Sequence, residues 1–378
     1  MKKERLSNFE LLRIISMFMI IIWHIFIYGV DMNIASPHLK IYFDIFRSIM
    51  VVHVNSYVLL SGYFQVKQNF KFSKVMQINN AVLFYKIIYF VLFALIGIAE
   101  VNSVNILRNF FPLDLENYWF IRIYLLLYLL SPFYNEYMNS IDKEKHKKLL
   151  ILQFILFSVI STTTNQEAIM ENTVNYGYSL ISFTFLYFIG GYLRKYPIEN
   201  TYLGKRFTKN FQWIFFIFAF LILALINFAL HVTSTNMLHM EGGLVNYIGK
   251  IIYISFNQYD NPFVVIGSVC YFFIFYYMKF KSKIINFISK SCIGIYLFHE
   301  NIFFRTNCYK LFKFPTTSLS KSVFIKIFIV GLIIFFTGFI IETIRQFIFK
   351  FFYDRKISQK FRVKYRGLID SIGIKMRW

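Results

Sequence analysis

From Trp213 to Leu230 the chain reads WIFFIFAFLILALINFAL, with no charged side chain. About 20 apolar residues of helix cross the hydrocarbon core of a bilayer, where each backbone N–H and C=O must be satisfied within the segment. Such a run permits little besides a membrane helix. Comparable stretches recur at roughly 9–30, 42–64, 75–99, 117–137, 148–163, 178–193, 211–231, 262–280, 284–304 and 322–345. The chain is 57% apolar and only 16% charged, too poor in polar residues to clothe a soluble domain of 378 residues. The expected fold is all-α, a polytopic transmembrane bundle of about ten spans. Two of the stretches, 148–163 and 178–193, are short, so a reading with eight spans also keeps the count even.

A net charge of +22 invites comparison with nucleic-acid binders. Its distribution argues for topology instead. Of 41 Lys and Arg residues, 28 fall in the termini and alternate connections on one side, 7 on the other and 6 within the spans. A cytoplasmic excess of Lys and Arg orients membrane proteins, so both termini are expected inside and no nucleic-acid partner is implied. The first apolar stretch follows Lys2, Lys3 and Arg5 like a secretory signal. It has an arginine in its apolar region and no small-residue cleavage site after it, and is expected to be retained.

That first stretch, NFELLRIISMFMIIIWHIF, carries Arg13 and His24. Eleven residues on a helix advance about 1100°, three turns and about 20°, and rise about 16 Å. The two side chains therefore share one face. A charge deep in a span costs about 2.5–3.5 kcal/mol on insertion scales, so such residues usually face a protein interior or a wet cavity. Taken singly, Arg13 has a plainer account as a snorkelling side chain paired with Glu10, and His24 as a histidine hydrogen-bonded to a neighbouring helix. Together they mark a polar track, with Arg13 near the cytoplasmic face and His24 beyond the midplane.

Other polar residues cluster at matching depths. In GIYLFHEN (294–301), His299 is as far into its span as His24 is into the first, and Glu300 follows it; a carboxylate beside an imidazole fixes its tautomer. The stretch NYWFIRIYLLLYLLSPFYN places Trp119 and Arg122 towards the outer side. The second span ends VHVNSYVLLSGYFQ, bringing Ser61, Gly62 and Tyr63 close to the depth of Arg13. Gly62 allows a neighbouring backbone or a ligand to approach closely. His53, in mid-span, reads as a core histidine with its hydrogen bonds made. Asp44 and Arg47 are spaced to pair near the outer end, while Lys86 and Lys290 are placed to face water.

Cys270, Cys292 and Cys308 are widely separated and suggest neither a disulfide framework nor a zinc site. His231 and His239 stand with Glu241 at no familiar metal spacing, and no G-x-S-x-G elbow or phosphate-gripping glycine loop occurs. Residues 232–261 read as the largest outer loop. The segment 346–378 alternates aromatic and basic residues and is expected to lie on anionic cytoplasmic lipid, beyond a membrane domain of 1–345.

In this order, NFELLRIISMFMIIIWH, NSYVLLSGYF, YWFIRIYLLLYLLSPFYN and GIYLFHEN resemble acyltransferase family 3, the polytopic membrane O-acyltransferases that decorate bacterial surface glycans. The resemblance runs from about residue 7 to 345. It implies a bacterial plasma-membrane enzyme of about ten helices, with acetyl-CoA or another acyl-CoA as donor substrate and no metal. The family's Arg-x10-His pair falls on Arg13 and His24, and its Ser-Gly-aromatic motif on Ser61, Gly62 and Tyr63. Its Tyr-Leu-aliphatic-His motif falls on Tyr296, Leu297, Phe298 and His299, with Phe298 replacing the aliphatic residue. Where many relatives carry paired arginines after the second span, this chain has Lys67, Lys71 and Lys74. Some relatives carry an extracellular esterase-like domain, which is not expected here.

The chemistry expected on these grounds puts Arg13 on the phosphates of acyl-CoA, with Ser61, Gly62 and Tyr63 also in the donor site. His24 takes the proton of the acceptor hydroxyl, or else it or a tyrosine carries the acyl group briefly. His299 and Glu300 position or deprotonate a sugar hydroxyl arriving from outside, and Trp119 and Arg122 contact the acceptor, a surface polysaccharide or its lipid-linked precursor. The principal alternative is a transporter or flippase of lipid-linked sugars, which calls for interrupted helices at matched positions in two halves; only Ser131-Pro132 offers such a break. A glycan polymerase calls for an arginine-rich outer loop, and 232–261 has only Lys250.

Overall fold

The structure is a computed structural model and describes residues 5–32, 34–110, 118–163, 175–240, 243–312, 314 and 321–353. Among these every regular element is helical. In chain order they are α1 (Ser7–His24), α2 (Pro37–Met50), α3 (His53–Gln65), α4 (Phe72–Leu95), α5 (Ser103–Phe110) and α6 (Trp119–Ser140). There follow α7 (Lys143–Phe154), α8 (Ser161–Thr163), α9 (Leu180–Lys195), α10 (Tyr202–Arg206), α11 (Lys209–Leu238) and α12 (Gly243–Ser255). The last are α13 (Pro262–Tyr277), α14 (Lys283–Ile288), α15 (Cys292–His299), α16 (Tyr309–Leu311) and α17 (Lys321–Tyr353).

Five helical stretches are long and apolar enough to cross a membrane: Ser7–Gly29, Pro37–Gln65, Phe72–Leu95, Lys209–Leu238 and Ser322–Lys350. The other expected spans are also helical, but shorter, more polar or interrupted. The stretch at 284–304 divides into α14, a 3-10 turn at Ser289–Ser291 and α15, with a π turn at Phe304–Cys308. Residues 232–261, expected as a loop, are largely helix: α11 continues to Leu238 and α12 occupies most of the remainder. Among the described residues the apolar side chains of that region continue the helical pattern, which outweighs its scattered polar residues. The segment beyond Tyr353, and Glu241 with Gly242, lie outside the described residues.

Helix α1 is the axis of the bundle and touches α2, α3, α13, α14, α15 and α17. It ends in a π turn, Ile25–Gly29, directly after His24; such wide turns inside helices gather at functional sites. Helices α3 and α9 approach closely because glycines line both sides of their seam. A Cβ on Gly62 would overlap the carbonyl of Tyr187, and one on Gly190 would overlap the carbonyl of Leu59. Gly62 thus admits a neighbouring backbone rather than a ligand. Tyr63 lies in the same packing, its hydroxyl accepting from Arg194 Nη1 at 3.1 Å and its ring 5.2 Å from that of Phe272.

Several charged side chains inside the bundle have polar partners. Arg345 donates to both oxygens of Glu342 at 2.7 Å, and Tyr85 donates to the same carboxylate at 3.1 Å. Lys86 is buried and donates to the carbonyl of Arg108 at 2.7 Å, tying α4 to the end of α5 rather than facing water. Arg47 and Asp44 do pair, at 3.3 Å.

Candidate active site

Because α1 carries its polar residues on one face, the helices around it enclose a cavity of about 590 Å³ along that face. Arg13 and His24 both line it. Its two ends differ in chemistry.

At the Arg13 end, Arg5, Lys74 and Lys290 join the guanidinium, and among the described residues Glu10 is the only carboxylate there. Arg13 Nη1 donates to Glu10 Oε1 at 2.7 Å and Arg5 Nη1 to Glu10 Oε2 at 3.2 Å, so the pairing with Glu10 read from the sequence is made without removing Arg13 from the cavity. Tyr57 donates its hydroxyl to the Arg13 carbonyl at 2.6 Å and pins α3 to α1 at this level. Ser61 lines the wall, its hydroxyl bonded to the Tyr57 carbonyl at 2.9 Å. Of the three lysines after the second span, Lys74 reaches the cavity and Lys67 and Lys71 do not. Lys290, which the sequence placed to face water, is exposed and lines the cavity. Four cations against one carboxylate make this end anion-attracting.

At the other end, His24 Nδ1 lies 3.0 Å from Glu300 Oε2, and Glu300 Oε1 accepts from Arg305 Nη1 at 2.9 Å. Arg305 also reaches the hydroxyl of Tyr28, at 3.4 Å, and lies over its ring. The Glu300 side chain is 1% exposed, so this carboxylate is held wholly by protein. With Nδ1 against Glu300, Nε2 is the nitrogen that His24 offers to the cavity. Imidazole, carboxylate and guanidinium stand in series, an ion-pair arrangement that offsets the charge a general base acquires.

The sequence matched Glu300 with the wrong imidazole. Successive residues at a helix end point about 100° apart, and His299 turns back along its own helix. Its Nδ1 lies 2.6 Å from the Ile295 carbonyl, which places the proton on that nitrogen. His299 is fully buried and outside the cavity wall, although its ring centroid is only 5.2 Å from that of His24. The depth match between the two histidines holds, and His299 backs His24 rather than facing an acceptor.

Trp119 lines the cavity, its ring 4.6 Å from Tyr178 and stacked at 6.2 Å on Tyr259. It is held there by Tyr118, whose backbone is left-handed (φ 56°) and whose hydroxyl donates to Leu297 O and accepts from Asn301 Nδ2, both at 2.9 Å. A tyrosine in that region is strained, and cross-links of this kind sustain such strain at functional sites. Arg122, one turn further along α6, is not on the cavity wall, and neither are Gly62 and Tyr63. Sequence reasoning missed Arg305, counted among outer-loop charges. The available signal was Glu300 itself, since a carboxylate at membrane depth needs a cation and Arg305 lies within two helical turns.

No curated protein and no solved structure matches the chain. A family model described as an acyltransferase domain matches residues 6–344, about nine-tenths of the length. With its apolar helices around a polar cavity, the chain belongs to acyltransferase family 3 and is a multi-pass membrane acyltransferase.

Proposed function

We propose that the protein transfers an acyl group, most simply acetyl, from acyl-CoA to a hydroxyl of a surface polysaccharide or its lipid-linked precursor, in the plasma membrane of a bacterium. Ten spans with both termini cytoplasmic complete this reading and direct the Arg13 end of the cavity towards the cytoplasm. The observation that carries it is one cavity with a cationic end at Arg13 and, about 16 Å further along the same helix, the imidazole of His24 backed by Glu300. The extended pantetheine arm between the phosphates and the thioester of CoA is of comparable length.

In this reading Arg13, Lys74 and Lys290 receive the phosphates of the donor, and Ser61 lies along its path. His24 Nε2 accepts the proton of the acceptor hydroxyl as its oxygen attacks the thioester carbonyl. The carbon–sulfur bond breaks, and the proton passes from His24 to the departing thiolate, giving the ester and free CoA. Glu300 holds Nδ1 and offsets the imidazolium, with Arg305 holding Glu300 from the far side. Trp119, Tyr178 and Tyr259 offer flat apolar faces to a sugar ring. Direct transfer within the membrane domain needs no covalent acyl-enzyme.

Purified protein is to be incubated with ¹⁴C-acetyl-CoA and envelope polysaccharide stripped of its O-acetyl groups by mild alkali. Alkali-labile label on the polysaccharide is the expected result. Release of label only as acetate, or no turnover, overturns the reading.

A further inference from the structure

Among the polar side chains of the cavity that the mechanism leaves unused, His53 stands beside the base. His53 is the first residue of α3, lines the cavity, and is 1% exposed. It is not the hydrogen-bonded core histidine that its place in the sequence suggested: neither ring nitrogen has a hydrogen-bond partner. Its ring is held edge-on instead, 5.4 Å from Trp23 at 81° and 5.7 Å from Tyr259 at 66°. Aromatic contacts of this kind fix an imidazole without occupying its nitrogens.

A buried polar group left unpaired is costly, and the rare instances in native proteins call for an explanation. His146 shares that lack of partners, but His53 alone of the two lies on the cavity wall, where a bound ligand is the partner within its reach. Its location selects which one. Trp23 precedes His24 in the chain, and Tyr259 is the ring stacked on Trp119, so His53 belongs to the end holding the base and the aromatic wall. The cations that suit phosphate are at the other end.

From this we infer that His53 is a specificity-determining residue of the acceptor site, hydrogen-bonding a sugar hydroxyl next to the one that is acylated. A neutral imidazole has one donor and one acceptor, and a sugar hydroxyl complements either. Trp23 and Tyr259 set the plane of the ring. The backbone of Tyr259 is in turn fixed by Asn55, whose Nδ2 donates to its carbonyl at 2.9 Å, and by its own N–H to the Tyr176 carbonyl at 3.1 Å. His53 thus selects the orientation in which one hydroxyl, and not its neighbour, meets His24. The inference rests on the glycan-acceptor reading above.

The test compares His53→Leu and His53→Gln with the wild type, using ¹⁴C-acetyl-CoA and the alkali-stripped polysaccharide. His146→Gln serves as control: His146 is also held edge-on by an aromatic ring, that of Tyr192 of α9, with both ring nitrogens unpaired, but it lies away from the cavity. Loss of one hydrogen bond to the acceptor raises its KM about tenfold in His53→Leu and about threefold in His53→Gln, which keeps a donor and an acceptor. The KM for acetyl-CoA stays unchanged in both, and the control matches the wild type. An unchanged acceptor KM, or a fall in kcat with both KM values unchanged, overturns the inference while leaving the function intact. If His53→Leu does not accumulate in the membrane, His53→Gln decides by the same criterion. No transfer by the wild type removes the glycan-acceptor reading, and this inference with it.

Discussion

Helices α1 and α11 are both long and apolar, yet the bundle treats them oppositely. Over its most apolar stretch α11 has mean hydropathy 2.7 and is 22% buried, whereas α1, at 2.1, is 56% buried. The more hydrophobic helix is the less enclosed. In water the order would be reversed, since burial rewards apolar surface. In lipid the surroundings already satisfy apolar side chains, so packing, hydrogen bonds and the need to shelter charge decide which helix takes the centre. Arg13 and His24 place α1 there, and the uncharged run Trp213–Leu230 leaves α11 at the rim.

The comparison is broken most directly at His24. His24→Ala should lower glycan acetylation about 10²–10⁴-fold at normal membrane abundance, the range for loss of a general base; labelled transfer beside an immunoblot measures both. Normal acetylation at normal abundance removes His24 from the chemistry. Glu300→Gln should reduce kcat about 10–100-fold through misorientation of the imidazole, with acyl-CoA binding preserved. It also leaves Arg305 facing a neutral amide, so Glu300→Gln with Arg305→Gln should restore abundance but not turnover.

Arg13→Lys sharpens the contrast within α1 itself. A lysine keeps the charge and loses the fork, so the KM for acyl-CoA should rise about tenfold with a smaller change in kcat. An unchanged KM denies the phosphate contact. The smallest effects separate core from rim by packing alone. Ile21→Ala, at a fully buried position of α1, should cost about 2–5 kcal/mol of stability, read as loss of folded protein on heating in detergent. Leu225→Ala, 63% exposed on α11, should change it by less than about 0.5 kcal/mol.

What the sequence disclosed follows the reach of a single helix. The shared face of Arg13 and His24 was legible because helical phase fixes it, and both line the cavity. The membrane class was legible from apolar runs, but which runs are interrupted was not, because 3-10 and π turns leave no mark in hydropathy. Pairings between helices were hidden. Glu300 reaches His24 on another helix while its neighbour His299 bonds its own backbone. Gly62 was legible as a place of close approach, yet only the fold shows that Tyr187 approaches it. The unmet nitrogens of His53 have no signature in composition or spacing, because an unsatisfied group is defined by its surroundings.

Glu10 carries a consequence for how the protein is made. It is held by Arg5 and Arg13 together, and so it lowers the cost of placing cations at membrane depth before any donor arrives. The same carboxylate repels the phosphates that those cations attract. Ease of insertion during biogenesis and tightness of donor capture therefore pull against each other at a single side chain.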